Sequence, residues 1–327
     1  MALLLFQAIA TSALNAGFAI MVGVLAAGVW LGNTGKSSFD NLAQRLSWTM
    51  SAGLWLCGSA TVFSLWQAVA TMGDVPLLDV DFTLWKMFWK THYGHAGLVN
   101  LALLAILCVM HRAVHSHCND KFYVSIVGAL LLFYATARVT IGHAFEFGLF
   151  SLPVLVEWVH LVLMAAWSGS VMVAGFDVLP MLLAARTIAR TGDPTINTMN
   201  EQYLVALSKW ATVALIGILL TGFYNAYRVL NQPTDLVAGE YGWILSTKLC
   251  FVMLAMGFGA WNRFFGFPAV YAADGGTAEN YVASDQSTTW VASMKTVITI
   301  LRVESMILLA ALVTAAFLTS STPPAAP

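Results

Sequence analysis

Charged residues are scarce in this chain of 327 residues. Only 9% of them are Asp, Glu, Lys or Arg, against roughly a quarter in an ordinary soluble domain. Fifteen bases against sixteen acids leave a formal charge of −1, which gives no reason to expect nucleic acid as a partner. Because a soluble protein of this length needs far more polar surface, the composition excludes a soluble enzyme and a disordered tail.

Cysteines and nucleotide-binding motifs are also scarce. The four cysteines form no CxxC or other metal-knuckle spacing, and their small number excludes a secreted disulfide scaffold. No GxxxxGKS/T sequence occurs, so ATP does not drive this chain directly. We therefore expect neither an enzyme nor an ATP-driven pump.

The chain contains long apolar blocks instead. Hydrophobic residues make up 59% of it, in blocks of about 20 residues or more, the length that crosses a hydrocarbon core. These blocks predict an all-α polytopic membrane protein, a bundle of eight transmembrane helices that forms one domain over residues 1–327. The predicted spans are 3–31, 44–72, 92–111, 122–144, 153–184, 204–230, 244–265 and 295–319. No Lys or Arg precedes the first block, which favours an uncleaved span over a signal peptide.

The distribution of Lys and Arg predicts the orientation. Nine of them lie near the loops that follow spans 1, 3, 5 and 7, and only four lie on the opposite side. Cytoplasmic loops carry the excess of positive charge in membrane proteins. Both termini are therefore predicted to lie outside, which in a bacterium is the periplasm.

A weak internal repeat is also present. Tyr93-Gly94 opens span 3 and Tyr241-Gly242 opens span 7, each before an apolar helix. The pattern predicts a four-plus-four duplication, with halves at about 1–144 and 153–320.

Two histidines near the outer surface are the main candidate for chemistry. His143 lies at the outer end of span 4, and His160 lies several residues into span 5. Helical spacing puts Glu157, His160 and Met164 on one stripe. Because a short loop joins the two spans, the histidines can face each other. Imidazole suits copper in either oxidation state and thioether favours Cu(I), so the set predicts a copper site.

Other readings of these residues stay open. A single membrane histidine often hydrogen-bonds a neighbouring helix, and a single methionine such as Met164 often only packs. His95 lies near the same surface, where it either extends the site or has an interfacial role. At the inner surface, a second group forms either a soft exit site for Cu(I) or a solvated basic loop. That group is His111, His115, His117 and Cys118.

Charges inside the spans provide a second candidate. Asp177 and Arg302 are predicted to share a depth of about 10 Å from the inner surface, which suggests a buried ion pair with Glu304 nearby. Such a pair either locks the bundle or relays protons or cations.

Several short motifs together resemble the CopD family of bacterial inner-membrane copper-resistance proteins. The resemblance covers most of the chain and is densest from residue 122 onward. The motifs are Gly142-His143-Ala144, His160 with Trp167 and Gly169, Thr221-Gly222-Phe223-Tyr224-Asn225-Ala226, Tyr241-Gly242 leading to Lys248, Asn262-Arg263, and Arg302-Val303-Glu304.

The resemblance implies an eight-helix protein that moves copper inward across the cytoplasmic membrane. It implies the periplasmic copper carrier CopC as a partner, and His143 and His160 as copper ligands. Family members often have a histidine in the first span, where this chain has Ala13, Leu14 and Asn15. Some also have histidine where this chain has Glu157.

The resulting hypothesis is copper capture by His143 and His160, with Glu157, Met164 or His95 completing the shell. Since imidazole must be neutral to bind a metal, capture should weaken below about pH 6. Two alternatives remain. One is a membrane b-type cytochrome with haem held by facing histidines. The other is an assembly factor that delivers copper to a membrane oxidase or monooxygenase.

Overall fold

The described part of the chain is helical. A computed structural model describes residues 2–32, 40–113, 121–142, 148, 150–189, 194–230, 232–237, 239–275 and 283–321, with no strand in these ranges. The α-helices are α1 (Ala2–Leu31), α2 (Asp40–Gly73), α3 (Phe82–Phe88), α4 (His92–Ala113), α5 (Lys121–Val139), α6 (Leu152–Val173), α7 (Leu179–Ala189), α8 (Pro194–Val229), α9 (Gly239–Trp261), α10 (Phe267–Gly275) and α11 (Ala283–Thr319). Two π-helical turns, Ala174–Val178 and Asn262–Gly266, join α6 to α7 and α9 to α10.

Eight helical units of the described ranges are long and apolar enough to cross a membrane. Spans 1 to 4 are α1, α2, α4 and α5; span 5 runs from α6 through α7, span 6 is α8, span 7 runs from α9 through α10, and span 8 is α11. Large apolar side chains on their outer faces are exposed, such as Trp55 and Phe223. The prediction of an all-α protein with eight spans is confirmed. The orientation of the termini and the internal repeat stay predictions.

Span 5 occupies the centre of the bundle and contacts spans 1, 4, 6 and 8. Its backbone packs directly against span 1 through small residues, as in many membrane helix pairs. A methyl group added at Gly169 would collide with the carbonyl oxygen of Ala19, and one at Gly23 would collide with Gly169. This close packing fixes the position of the helix that carries His160 and Asp177.

Two hydrophobic clusters surround span 5. The larger includes Trp167, Met294 and Leu308, and joins span 5 to spans 6, 7 and 8. The smaller includes Phe18 and Tyr134, and joins spans 1 to 4. Both clusters draw on spans 1 and 5, so the described bundle is continuous across the two predicted halves.

The predicted ion pair between Asp177 and Arg302 is wrong. The Arg45 Nε of span 2 lies 2.8 Å from Asp177 Oδ1, and the Thr49 hydroxyl donates to Oδ2 at 3.0 Å. The Arg302 Nε instead donates to the carbonyl oxygen of Gly175 at 3.0 Å. Gly175 faces span 8, and a residue two positions further along a helix lies almost on the opposite side. Asp177 therefore turns to span 2, because equal depth does not fix the direction in which a side chain points.

Candidate functional site

Polar side chains of spans 5, 6 and 7 meet near one end of the bundle, which the charge bias predicts to be the outer end. We call this set the outer cluster: Glu157, His160, Thr221, Asn225 and Lys248. All five are partly buried. Counted from the outer helix ends at Leu152, Val229 and Gly239, His160, Thr221 and Lys248 lie eight or nine residues deep. At 1.5 Å per residue, that depth is about 12 to 14 Å.

Spans 5 and 6 are antiparallel neighbours, and polar side chains on successive helical turns of span 5 hydrogen-bond to polar side chains on successive turns of span 6. The His160 Nδ1 atom lies 2.8 Å from the Thr221 hydroxyl. One turn nearer the outer end, the Asn225 Nδ2 group donates to Glu157 Oε2 at 3.2 Å. Residues three or four apart share a helix face, so both bonds lie in one interface.

The hydrogen bonds of Thr221 determine which ring nitrogen of His160 carries the proton. The Thr221 hydroxyl donates to the Gly217 carbonyl oxygen at 2.6 Å, so its oxygen accepts from the imidazole. The neutral tautomer of His160 that fits these bonds has its proton on Nδ1 and an unprotonated Nε2. Metal-binding histidines are commonly oriented in this way, with one nitrogen hydrogen-bonded and the other free to coordinate.

Charge in the outer cluster is nearly balanced. The Lys248 ammonium of span 7 interacts electrostatically with both Glu157 and His160. Asn225 Oδ1 is buried and accepts no hydrogen bond from the described residues. The cluster therefore presents one imidazole lone pair and one amide oxygen, next to a carboxylate whose charge Lys248 offsets.

The predicted stripe on span 5 is present, but its members have different surroundings. Glu157 and His160 bond to span 6, whereas Met164 is 5% exposed and packs in the larger hydrophobic cluster. In the sequence, Thr221 and Asn225 were identified only as members of the family motif. Their hydrogen bonds join two different spans, so no local sequence pattern predicts them.

His143 lies outside the described residues, so its pairing with His160 stays a prediction. The face of span 5 that packs on span 4 is formed by Val154, Trp158 and Leu161, about a third of a turn or more from His160. At the end of span 4, the Thr140 carbonyl oxygen lies 3.1 Å from His92 Nε2.

His95 lies one turn further along span 3 and is exposed. His92 is therefore the outer histidine that contacts the end of span 4. The residue that it contacts, Thr140, lies three positions before His143 in the sequence.

Arg138 in span 4 is held by span 1. Its guanidinium donates to Asn15 Oδ1 at 2.7 Å and to the Leu14 carbonyl oxygen at 3.5 Å. Leu14 and Asn15 stand in the region where the family resemblance implies a histidine. In this region, span 1 therefore binds the Arg138 guanidinium, whereas the family resemblance implies an imidazole ligand there.

The inner histidines do not form one solvated loop. His111 is 4% exposed, and its Nε2 atom lies 3.0 to 3.3 Å from Ser47 Oγ, the Ser47 carbonyl oxygen and Ser51 Oγ. The solvated interpretation is wrong for His111, because the ring joins spans 2 and 3. His115, His117 and Cys118 lie outside the described residues. Within the residues that are described, no three His, Cys, Asp or Glu side chains are grouped to hold a metal.

Comparison with known families identifies the family of this chain. The family described as Copper resistance protein D matches residues 201–318, and Copper resistance protein D-like, N-terminal domain, matches residues 2–149. No curated protein and no solved structure matches the chain. The family is one of copper-resistance proteins and not a known enzyme family, and the matches give no support to the cytochrome or assembly-factor alternatives. With its eight membrane-spanning units, the chain belongs to the CopD family of multi-pass membrane proteins of copper resistance.

Proposed function

We propose that this protein carries copper inward across the bacterial cytoplasmic membrane, from a periplasmic carrier of the CopC type. The observation that supports this most is the orientation of His160. Its Nδ1–H is bonded to Thr221, so Nε2 is free to bind a metal at a depth of about 12 Å. In a family of copper-resistance proteins, copper is the cargo that such a nitrogen would bind.

In this proposal His160 and His143 are the principal ligands. The negative charge of Glu157 offsets part of the positive charge of the bound copper. When copper is absent, the Lys248 ammonium balances the Glu157 carboxylate. His95 and Met164 are further candidate ligands, and thioether ligation by Met164 would favour Cu(I). The orientation is the one predicted from Lys and Arg, which places the outer cluster on the periplasmic side.

Transport would be driven by an ion gradient, by the membrane potential or by trapping of copper inside.

The first test is copper binding to the purified full-length protein. Wild type and the double variant His143→Ala/His160→Ala are incubated with copper, desalted and analysed for metal. We expect about one copper per chain in wild type and a large loss in the double variant. Equal copper content in both would contradict the site.

The second test is transport itself. Copper uptake is measured in proteoliposomes that contain wild type or the double variant, with protein-free vesicles as the control. We expect wild type to accumulate copper faster than either. A visible spectrum of the same preparation adds an independent check, since a Soret band would indicate haem. Uptake no faster than in protein-free vesicles would contradict the transport function.

A further inference from the structure

Glu304 is a buried carboxylate near the midpoint of the helix that forms span 8. It lies sixteen residues after Thr288 and fifteen before Thr319, the ends of span 8. Its side chain is 2% exposed. A Cβ atom added at Gly259 of span 7 would lie 3.1 Å from Glu304 Oε1, so the carboxylate rests against the backbone of span 7. The Trp167 indole of span 5 also interacts with the carboxylate.

No cation balances this carboxylate in the part of the chain that is described. Span 1 packs against span 8 and contains no charged residue or histidine. The cations on spans 5, 7 and 8 lie elsewhere: Arg302 bonds the Gly175 carbonyl, Arg263 bonds Thr212, Arg186 lies over Trp290, Lys248 lies in the outer cluster, and Lys295 is exposed nine residues before Glu304. An unpaired ion in this setting is much less stable than the neutral acid.

Asn262 provides a second, independent observation. It is 1% exposed, and both polar atoms of its side chain are buried without a hydrogen-bond partner among the described residues. Gly259 faces Glu304, and Gly266 faces Val297 of the same span 8. Asn262 lies between these glycines on one stripe, about 4.5 Å along the axis from Gly259. A Cβ atom at Gly266 would lie 2.9 Å from Asn262 Oδ1, so the amide points away from Glu304, towards Gly266.

The polar side chains near Glu304 differ in their hydrogen-bonding capacity. The Trp167 indole only donates and therefore favours the carboxylate. The Asn262 amide both donates and accepts, but it makes no hydrogen bond to Glu304 in the structure. Unpartnered buried polar groups are rare and often mark a functional site, which is consistent with a role for Asn262 one turn along span 7 from Gly259.

We propose that Glu304 exchanges a proton for each copper cation that passes the middle of the bundle. The acid releases H⁺ to the outer side when the cation approaches, the carboxylate balances the cation, and a proton from the inner side returns to Glu304 after the cation has left inward. No electrons are transferred. This inference rests on the proposed transport function, and it makes the protein a copper–proton exchanger.

The first experiment measures copper and protons together. Proteoliposomes that contain full-length protein enclose a pH-sensitive dye, and copper is added outside. We expect the lumen to become alkaline as copper enters through wild type. In Glu304→Gln, which keeps the shape of the neutral acid, copper uptake should fall at least tenfold and the pH change should disappear. Copper uptake by wild type without a pH change would overturn the proposal. The same number of protons moved per copper in Glu304→Gln as in wild type would also overturn it.

Glu201→Gln is the matched control, because Glu201 is an exposed carboxylate on span 6. It should leave both signals unchanged.

The second experiment does not depend on transport. Infrared difference spectra of purified wild type and Glu304→Gln should show a neutral carboxylic acid band that only wild type has, and that copper weakens. Absence of that band would show that Glu304 is permanently ionised and would overturn the inference. A band in wild type together with no copper uptake would instead contradict the proposed transport function.

Discussion

The two ends of span 5 use charged and polar residues in opposite ways. At the inner end, both oxygens of the Asp177 carboxylate are occupied, by Arg45 and Thr49. At the outer end, hydrogen bonds orient His160 and leave its Nε2 free. A closed set of partners stabilises a helix contact, whereas an oriented set with a free lone pair can bind a ligand. In the proposed function, the outer end of span 5 binds copper and the inner end stabilises the bundle.

The largest expected effect is on copper affinity at the outer end. His160→Ala should weaken copper binding by more than about 100-fold, because it removes a ligand rather than a supporting group. The melting temperature should change little, since the ring is only partly buried. Equilibrium copper titration against a competing chelator measures the affinity. The inner variant Asp177→Ala is the control, and a comparable loss of affinity there would contradict the division of roles.

A smaller effect is expected when the orientation of the ring is disturbed. Thr221→Val keeps the shape of the side chain but removes the acceptor for His160 Nδ1, and should weaken copper binding by about 10- to 100-fold. Thr247→Val is the matched control, because Thr247 is exposed and its hydroxyl bonds only the Trp243 carbonyl oxygen of its own helix. Equal affinities for the two variants would show that Thr221 does not position the ring.

At the inner end the expected change is in stability. Asp177→Ala should destabilise the protein by about 1 to 2 kcal/mol, through the lost hydrogen bonds to Arg45 and Thr49. The value is modest because the Arg45 side chain is 51% exposed and water screens the ion pair. Thermal unfolding in detergent measures it. Asp177→Asn can still accept from Thr49 and should lose less; an unchanged melting temperature in Asp177→Ala would contradict the structural role.

The smallest effect is predicted beside the imidazole itself. A Cβ atom at Gly222 would lie 3.5 Å from His160 Cε1, an ordinary van der Waals contact. Gly222→Ala should therefore change copper affinity less than about twofold, since the ring does not need to move. A large loss in the same chelator titration would mean that the ring shifts when copper binds.

The sequence predicted the spans well because apolar length is a strong signal. Helix ends were less predictable: α11 begins at Ala283 rather than at 295, since a polar helix continues beyond the apolar block. Glu157 and His160 were found from helical spacing. The partner of Asp177 was missed because depth along a helix says nothing about rotation around it. The bond between Arg138 and Asn15 joins spans distant in sequence and leaves no local pattern.

The most direct test of the central claim is X-ray absorption spectroscopy of the copper-loaded protein. If His160 Nε2 binds copper, wild type should show the scattering of imidazole bound to the metal. Loading His160→Ala at a higher copper concentration should give a spectrum with one imidazole fewer. Identical spectra for the two proteins, or a wild-type spectrum without imidazole, would contradict the account.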